Sequence, residues 1–520
     1  MKNTEREPEL KVEGFRPIRI SDVFEVAVKG RKVKLEGTPR LRDRMDRSRR
    51  ILDEGLAKGE RIYGVTTGFG GSCGDDVSPE DVDKLGKNLL QYHKCGTGTP
   101  LEDEHVRAAM LCRLVCLCAG YSGVSLELPD QIVKFLNERI TPIVPSEGSV
   151  GASGDLTPMS YVAACLAGER EVRFRGKRME TREALEATGI APYRFKAKEP
   201  LAMVNGTAVM TGLAALAAWR GKLVLDAAIR ASALAVHALC GNAEHFHKAV
   251  FDAKPYAGQA RVAERMRELL RAVSPPPVSD APENLQDPYS LRCVPHVLGV
   301  LADALDWIEP WIETEINGVS DNPLFDPETG EILMGGNFYG GHVAFAMDSI
   351  KIALAAVADL ADRQIALMID PRFNRGLPAN LSDRGADLHG MKGICHGLKG
   401  VQITASALTA EAQKNTMPAS VFSRPTEMHN QDIVSMGTIA ARDAVRNCEL
   451  TERVAAIHLM AAARACRLRG HLDGRPELAA FLKKLNCIEM RNDEGFDVVI
   501  ERTASAVRSG DFLEKVHDEK

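Results

Sequence analysis

Thr207–Leu239, TAVMTGLAALAAWRGKLVLDAAIRASALAVHAL, sets the architecture of this chain. It is apolar enough to raise the question of a membrane span, but Arg220, Lys222, Asp226 and Arg230 interrupt it every few residues, which a bilayer core penalises. A buried helix accounts for the same pattern. At 1.5 Å per residue it would run about 45 Å, too long for a compact small domain, so it needs long neighbours in a bundle or from other subunits.

On both sides of it, apolar residues recur three and four apart. The windows are Leu41–Leu56, Glu104–Cys118, Leu128–Arg139, Arg261–Val273, His296–Asn317, Gly341–Met368, Val401–Asn415 and Asp432–Leu468. Strand alternation is scarce, and residues 24–37, FEVAVKGRKVKLEG, read as a possible short strand pair. The expectation is a mostly α protein: a long-helix bundle with a loop-rich N-terminal domain. A boundary is expected near residue 205, giving domains 1–205 and 206–520, with a linker-like stretch at Ser274–Pro288.

The 520 residues are 45% hydrophobic and 26% charged, the balance of a soluble globular chain and not of a disordered one. With 66 Lys and Arg against 71 Asp and Glu, neither nucleic acid nor an anionic membrane is an expected partner. MKNTEREPELKVEG has no apolar signal core, so a cytoplasmic protein is expected. Cys112, Cys116 and Cys118 lack the second half of a zinc motif, and His245 and His247 lack a third ligand. These are expected to be core thiols and structural histidines, with no metal.

Loops dense in Gly, Asn, Ser and Asp separate the helices, and polar loops on a rigid scaffold are where chemistry is expected. The most informative is Gly148–Pro158, GSVGASGDLTP. Flanking glycines let the backbone fold back where a Cβ would clash. The Gly154 nitrogen could then reach the Ala152 carbonyl, and Ser153 could lose water, giving an electrophilic five-membered imidazolone. The plainer alternative is a glycine-rich turn that starts a helix, with Asp155 as its cap.

In its context, GSVGASGDLTPMSYVA resembles the signature of the aromatic amino acid ammonia-lyase and aminomutase family. The family's Ala-Ser-Gly cyclises autocatalytically to 4-methylidene-imidazol-5-one. Further segments match successive family motifs in order across nearly the whole chain: YGVTTGFG from Tyr63, LAMVNGT around Asn205, QDPYSLRC from Gln286, SDNPLFD from Ser320, GGNFYG around Phe338 and NQDIVSMG from Asn430.

The resemblance implies loss of ammonia from an aromatic α-amino acid, with the prosthetic group formed from Ala152, Ser153 and Gly154 and no metal or nucleotide. Tyr63 is the implied base for the Cβ proton. A tyrosine needs its pKa of about 10 brought down for that, by helix N-termini or cations. Arg292 suits a carboxylate by bidentate geometry, with Tyr289 on the same helical face. Asn205 is the implied hydrogen-bond donor to the imidazolone oxygen. Gln286 and Asn322 are expected to supply neutral hydrogen bonds. Gly70, Leu156, Phe338, Glu427, Asn430 and Gln431 are expected around the substrate, and the family forms homotetramers with shared active sites.

Substrate choice in the family depends on a dipeptide that here is Tyr92-His93. Two polar groups there suit a phenolic hydroxyl better than a plain phenyl. Gln431 replaces the carboxylate expected beside an imidazole substrate. Tyrosine is therefore the first expectation, phenylalanine the second and histidine the third. An aminomutase shares the same machinery, and an inactive oligomeric scaffold is the alternative from another class.

Overall fold

A computed structural model describes residues 9–14, 16–270, 285–382, 394–470, 476–485 and 495–510. Most of the expected linker, and the end of the window Arg261–Val273, lie outside these residues.

The apolar periodicity folds as helices close to the expected bounds. The long ones are Ala208–Ala238, Val294–Asn317, Gly341–Ile369 and Gly437–Arg469. Shorter ones include Pro39–Ala57, Asp103–Cys118, Glu127–Glu138 and Lys399–Lys414. In Ala208–Ala238, 83% of the most apolar window is buried within the protein.

The expected strand pair is corrected. Glu25–Lys29 continues the helix Ile20–Phe24 as a π-helical turn that ends at left-handed Gly30. Ile20, Val23, Phe24 and Ala27 share one buried helical face, and that spacing prevails over the two-residue alternation. Only Val33–Leu35 is a strand, pairing in parallel with Leu10–Val12.

The chain forms two compact units, neither continuous in sequence. The first holds residues 1–219, 308–348 and 418–445; the second holds 220–307, 349–417 and 446–520. This division differs from a single cut at residue 205, because four of its boundaries fall inside the long helices.

In the first unit, Asp103–Cys118 is buried along almost its whole length. A Cβ on Gly212 would come within 2.6 Å of the Ala109 nitrogen, so glycine permits the close approach of two helix backbones there. Cys112, Cys116 and Cys118 are buried free thiols, and burial pushes the Cys112 thiol up to about 12.

In the second unit, small residues let helices pack closely: Ala355, Ala412 and Leu450 form one cluster, and Ala358, Ala361 and Val454 another. The Asn447 amide donates to the carbonyls of Lys351 and Ala412, tying three helices together. His245 Nε2 accepts from the Asp287 amide, and His247 Nδ1 caps the helix Lys248–Asp252.

Candidate active site

The loop before helix Leu156–Leu166 is curled tightly. Ser153 and Gly154 are both left-handed, at φ 50° and 81°. A Cβ at position 154 would come within 2.1 Å of the Gly206 carbonyl oxygen, so only glycine fits. The Gly206 N–H donates to the Ser153 carbonyl at 2.9 Å, and the Asp155 N–H donates to the Gly206 carbonyl at 2.7 Å. The Gly154 N–H also donates to the Gly151 carbonyl at 3.3 Å, so Ala152, Ser153 and Gly154 lie in a tight turn, a backbone that fits an imidazolone built from three consecutive residues.

Asp155 is fully buried, but its carboxylate does not cap its own helix. Instead Oδ2 accepts from the Val209 and Met210 N–H groups, each at 2.9 Å, in the first turn of Ala208–Ala238. Oδ1 accepts from the Thr438 and Ser149 hydroxyls. Burial pushes the carboxyl above its ordinary range, and the bonds from Thr438, Met210 and Val209 oppose that shift. The triplet is thus pinned to the amide-rich end of a 31-residue helix.

A narrow cavity gathers most of the expected site. Tyr63 and Gly70 reach it from the first glycine loop, and Tyr92 and His93 from the end of helix Val82–Tyr92. Ser153 and Leu156 come from the triplet loop, Asn205 from the turn after helix Glu199–Val204, and Glu427 and Gln431 from the loop before Gly437. Phe69, Leu89 and Leu201 add apolar lining that the sequence reading did not single out, although Phe69 stands inside YGVTTGFG and Leu201 opens LAMVNGT.

Local contacts order this group. The Gly70 N–H donates to the Tyr63 hydroxyl at 3.0 Å, and Gln431 Nε2 donates to Ser153 Oγ at 3.0 Å. Glu427, Met428 and His429 are all left-handed, at φ 51°, 51° and 67°, an uncommon run for residues with side chains. Bonds between Thr426 and Gln431 pinch that loop shut and present Gln431 to the triplet.

One electrostatic expectation changes. Burial raises the Tyr63 pKa, with Cys73 and Glu427 adding to the rise and only the Gly70 N–H opposing it. The expected depression by cations is not found among the described residues. Burial also pulls His93 down to about 4, so its imidazole is neutral at pH 7. Its ring lies 4.5 Å from that of Tyr92.

Asn205 departs from its expected contact as well. Its Nδ2 donates to Asp321 Oδ1 at 3.1 Å and to the Asn322 carbonyl at 2.9 Å, so its donors are taken up away from the triplet. Asp321 Oδ2 in turn accepts from Lys198 Nζ at 2.8 Å, with both side chains wholly buried. Neither residue was singled out in the sequence, although Asp321 stands inside the SDNPLFD motif.

Asn322, Phe338 and Asn430 belong to the same unit as this cavity but do not line it. Asn322 Oδ1 instead accepts from the Gly335 N–H. Gln286, Tyr289 and Arg292 belong to the other unit. There Tyr289 and Arg292 share one helical turn, with the guanidinium 4.6 Å from the ring centroid and the tyrosine exposed. Among the described residues no group of three or more His, Cys, Asp or Glu is placed to hold a metal.

The aromatic amino acid lyase family matches residues 18–486. A histidine ammonia-lyase from Alkaliphilus oremlandii is 37% identical over 477 residues, 91% of this chain and 92% of that protein. Histidine ammonia-lyase 2 from Fusobacterium nucleatum is 38% identical over 449 residues, covering 86% of each. Among solved structures, a tyrosine aminomutase from Streptomyces globisporus superposes with a TM-score of 0.89 at 33% identity, over 97% of this chain and 98% of that one.

Proposed function

The chain belongs to the aromatic amino acid lyase family, and we propose that within it the protein eliminates ammonia from L-histidine to give urocanate. It is a carbon–nitrogen lyase. The single observation that carries the choice of ring is the Glu427 carboxylate, which lines the same cavity as Tyr92 and neutral His93. Gln431 removes a carboxylate from the place the sequence led one to seek it, but Glu427 supplies one to the cavity from four residues earlier. A carboxylate and a neutral imidazole suit a ring that itself donates and accepts protons. The names of the curated relatives support the same ring, and the earlier preference for tyrosine gives way to it.

Ala152, Ser153 and Gly154 are the residues we assign to a 4-methylidene-imidazol-5-one, formed by attack of the Gly154 nitrogen on the Ala152 carbonyl and loss of two waters. When present, such a group supplies an electrophile for the substrate's amine. The chain's own residues do the rest. Tyr63 takes the Cβ proton at its phenol oxygen, and the Gly70 N–H stabilises the phenolate needed for that. Gln431 holds the Ser153 hydroxyl before it departs as water. In a site shared between subunits, Arg292 of a neighbouring copy holds the substrate carboxylate, Tyr289 steadies that guanidinium, and Gln286 assists. Leu156 with Leu89 and Leu201 packs against the ring and excludes water.

Assembly as a homotetramer with shared active sites belongs to the same proposal. Val300, Phe345, Ile352 and Ile403 are exposed apolar side chains on helices, and burial against further copies would stabilise them at about 25 cal/mol per Å².

Tyrosine is the second reading. It is favoured by the Gln431 amide and by the likeness to the tyrosine aminomutase. A parallel ultraviolet assay with histidine, tyrosine and phenylalanine separates the cases. An absorbance rise with histidine is expected, and a rise with tyrosine alone would overturn the choice of ring. No rise with any of the three, in protein whose triplet has lost two waters by mass, would replace elimination by an amine shift.

A further inference from the structure

A second cavity of the first compact unit lies behind one wall of the catalytic cavity, since Phe69 and Leu201 line both. Its volume is about 370 Å³, within the range of roughly 300–1,000 Å³ usual for small-molecule sites. Val82, Leu90, Phe195 and Pro200 complete an apolar floor. Tyr193 contributes only its ring, because its hydroxyl is engaged by Glu199 Oε2 at 3.0 Å and by Ser125. That ring meets Phe195 edge-on, with centroids 5.2 Å apart.

The polar border of the cavity is cationic. Lys196 faces Glu127 at 3.4 Å, and Glu169 is paired with Lys94 at 2.8 Å. Lys87, Arg194 and Asp83 are exposed, and among the described residues none of these three side chains has a hydrogen-bond or ion-pair partner. Two free cations against one free carboxylate leave the lining with a positive charge to satisfy. The cavity also reaches the first glycine loop, through Gly64, the residue after Tyr63, and Phe69, the residue before Gly70. The Phe69 ring stands edge-on to that of Tyr63, with centroids 6.4 Å apart. Space there is tight, since a Cβ on Gly64 would come within 2.7 Å of both Phe69 and Leu201. A group seated against Phe69 therefore bears on the Gly70 N–H and on the Tyr63 hydroxyl that accepts from it at 3.0 Å.

We infer that this cavity binds a planar aromatic carboxylate, the chemical class of the elimination product, and that its occupancy slows turnover by bracing Phe69 and the Tyr63 loop. The ring packs among Phe69, Tyr193 and Phe195, and the carboxylate accepts from Arg194 with Lys87 beside it. A free amino acid fits less well, because its ammonium brings a further positive charge to a lining already in cationic excess. Product leaves a closed site only when the loop over it moves, so a ligand that braces the loop lowers the rate even when substrate saturates the catalytic cavity. The inference rests on the reading of the protein as an aromatic amino acid ammonia-lyase.

The test titrates urocanate, 4-coumarate and cinnamate calorimetrically into the full-length protein. This measurement needs no turnover, so a wrong reaction is exposed by the ultraviolet assay while the sites are still counted here. Two sites per chain are expected for the acrylate that matches the catalytic cavity. Lys87→Glu/Arg194→Glu should weaken one of them about tenfold, the size of a hydrogen bond to a charged group, and leave the other within twofold. Ala167→Leu fills the same cavity from the end of helix Leu156–Leu166 with both cations in place, and should remove the same site.

In rate measurements, the same acrylate should lower the parental kcat at saturating amino acid. Lys87→Glu/Arg194→Glu should keep the parental kcat and KM in its absence and lose this inhibition. A single site per chain for all three acrylates, or two sites that neither variant touches, overturns the binding site. Inhibition that saturating amino acid abolishes, or that persists unaltered in the charge-reversed variant, overturns the control of turnover.

Discussion

Lys198–Asp321 and Arg220–Glu452 are both almost wholly buried ion pairs, with side-chain exposures of 0% and 0% in the first and 3% and 0% in the second, yet they are wired differently. In the second compact unit, Arg220 meets Glu452 through two parallel bonds of 2.6 and 2.8 Å, and Arg508 adds a third to the same carboxylate. Every partner is a helix side chain, so the arrangement sets helix against helix. In the first unit, Lys198 makes one contact with Asp321, and the carboxylate's other oxygen is shared between the Asn205 side chain and a backbone N–H. Burying such charges costs several kcal/mol per ion in either place. What the pair achieves depends on where its remaining lone pairs point, and only the first leads to a polar group on a cavity.

The sharpest way to separate the two regions is Ser153→Ala. Turnover should vanish and the triplet should lose no second water by mass, while far-ultraviolet circular dichroism and assembly stay as in the parent. Loss of fold would show that the loop is part of the scaffold.

Tyr63→Phe should retain the mass loss and reduce kcat by about 10²- to 10⁴-fold, the usual contribution of a positioned general base. A variant with near-parental kcat would remove Tyr63 from proton transfer.

On the helical side, Arg220→Met leaves Glu452 with Arg508 alone. It should cost about 3–5 kcal/mol in denaturant unfolding, as breaking buried pairs does, while kcat of the folded fraction holds steady. A changed kcat with unchanged stability would invert the contrast drawn between the two pairs.

The smallest effect concerns a buried group with no pair. His458 is 1% exposed, neither ring nitrogen has a hydrogen-bond partner among the described residues, and burial pulls its pKa from 6.5 to about 3. Below pH 6.5 the unfolded chain therefore takes up a proton that the folded chain refuses. The associated stability is present above about pH 6.5 and lost as pH falls towards 3. His458→Leu should flatten the acid side of the stability profile, and an unchanged slope would show that His458 does not set it.

Much of the helical framework was legible because its signal is local and repeated. Ala208–Ala238 and Gly341–Ile369 fall within a residue or so of the windows read from spacing. Residues 24–29 were misread because six residues of alternation also satisfy a helical face once Ile20 and Val23 are counted. Asp155 was legible as a cap but not as the cap of another helix, since a side chain's nearest amides in space are not its nearest in sequence. For Lys198 there was no cue, because its partner lies 123 residues away and a lone lysine reads as surface.

The amino-acid sequence by itself determined most of the helices and the likeness to the family, because apolar periodicity and short motifs are properties of neighbouring residues. Only the tertiary structure decided which way the Asn205 amide faces, that His93 is neutral and that Tyr63 is held above its ordinary pKa. Those outcomes depend on desolvation and on acceptors supplied from distant segments, and neither exists until the chain has closed around them.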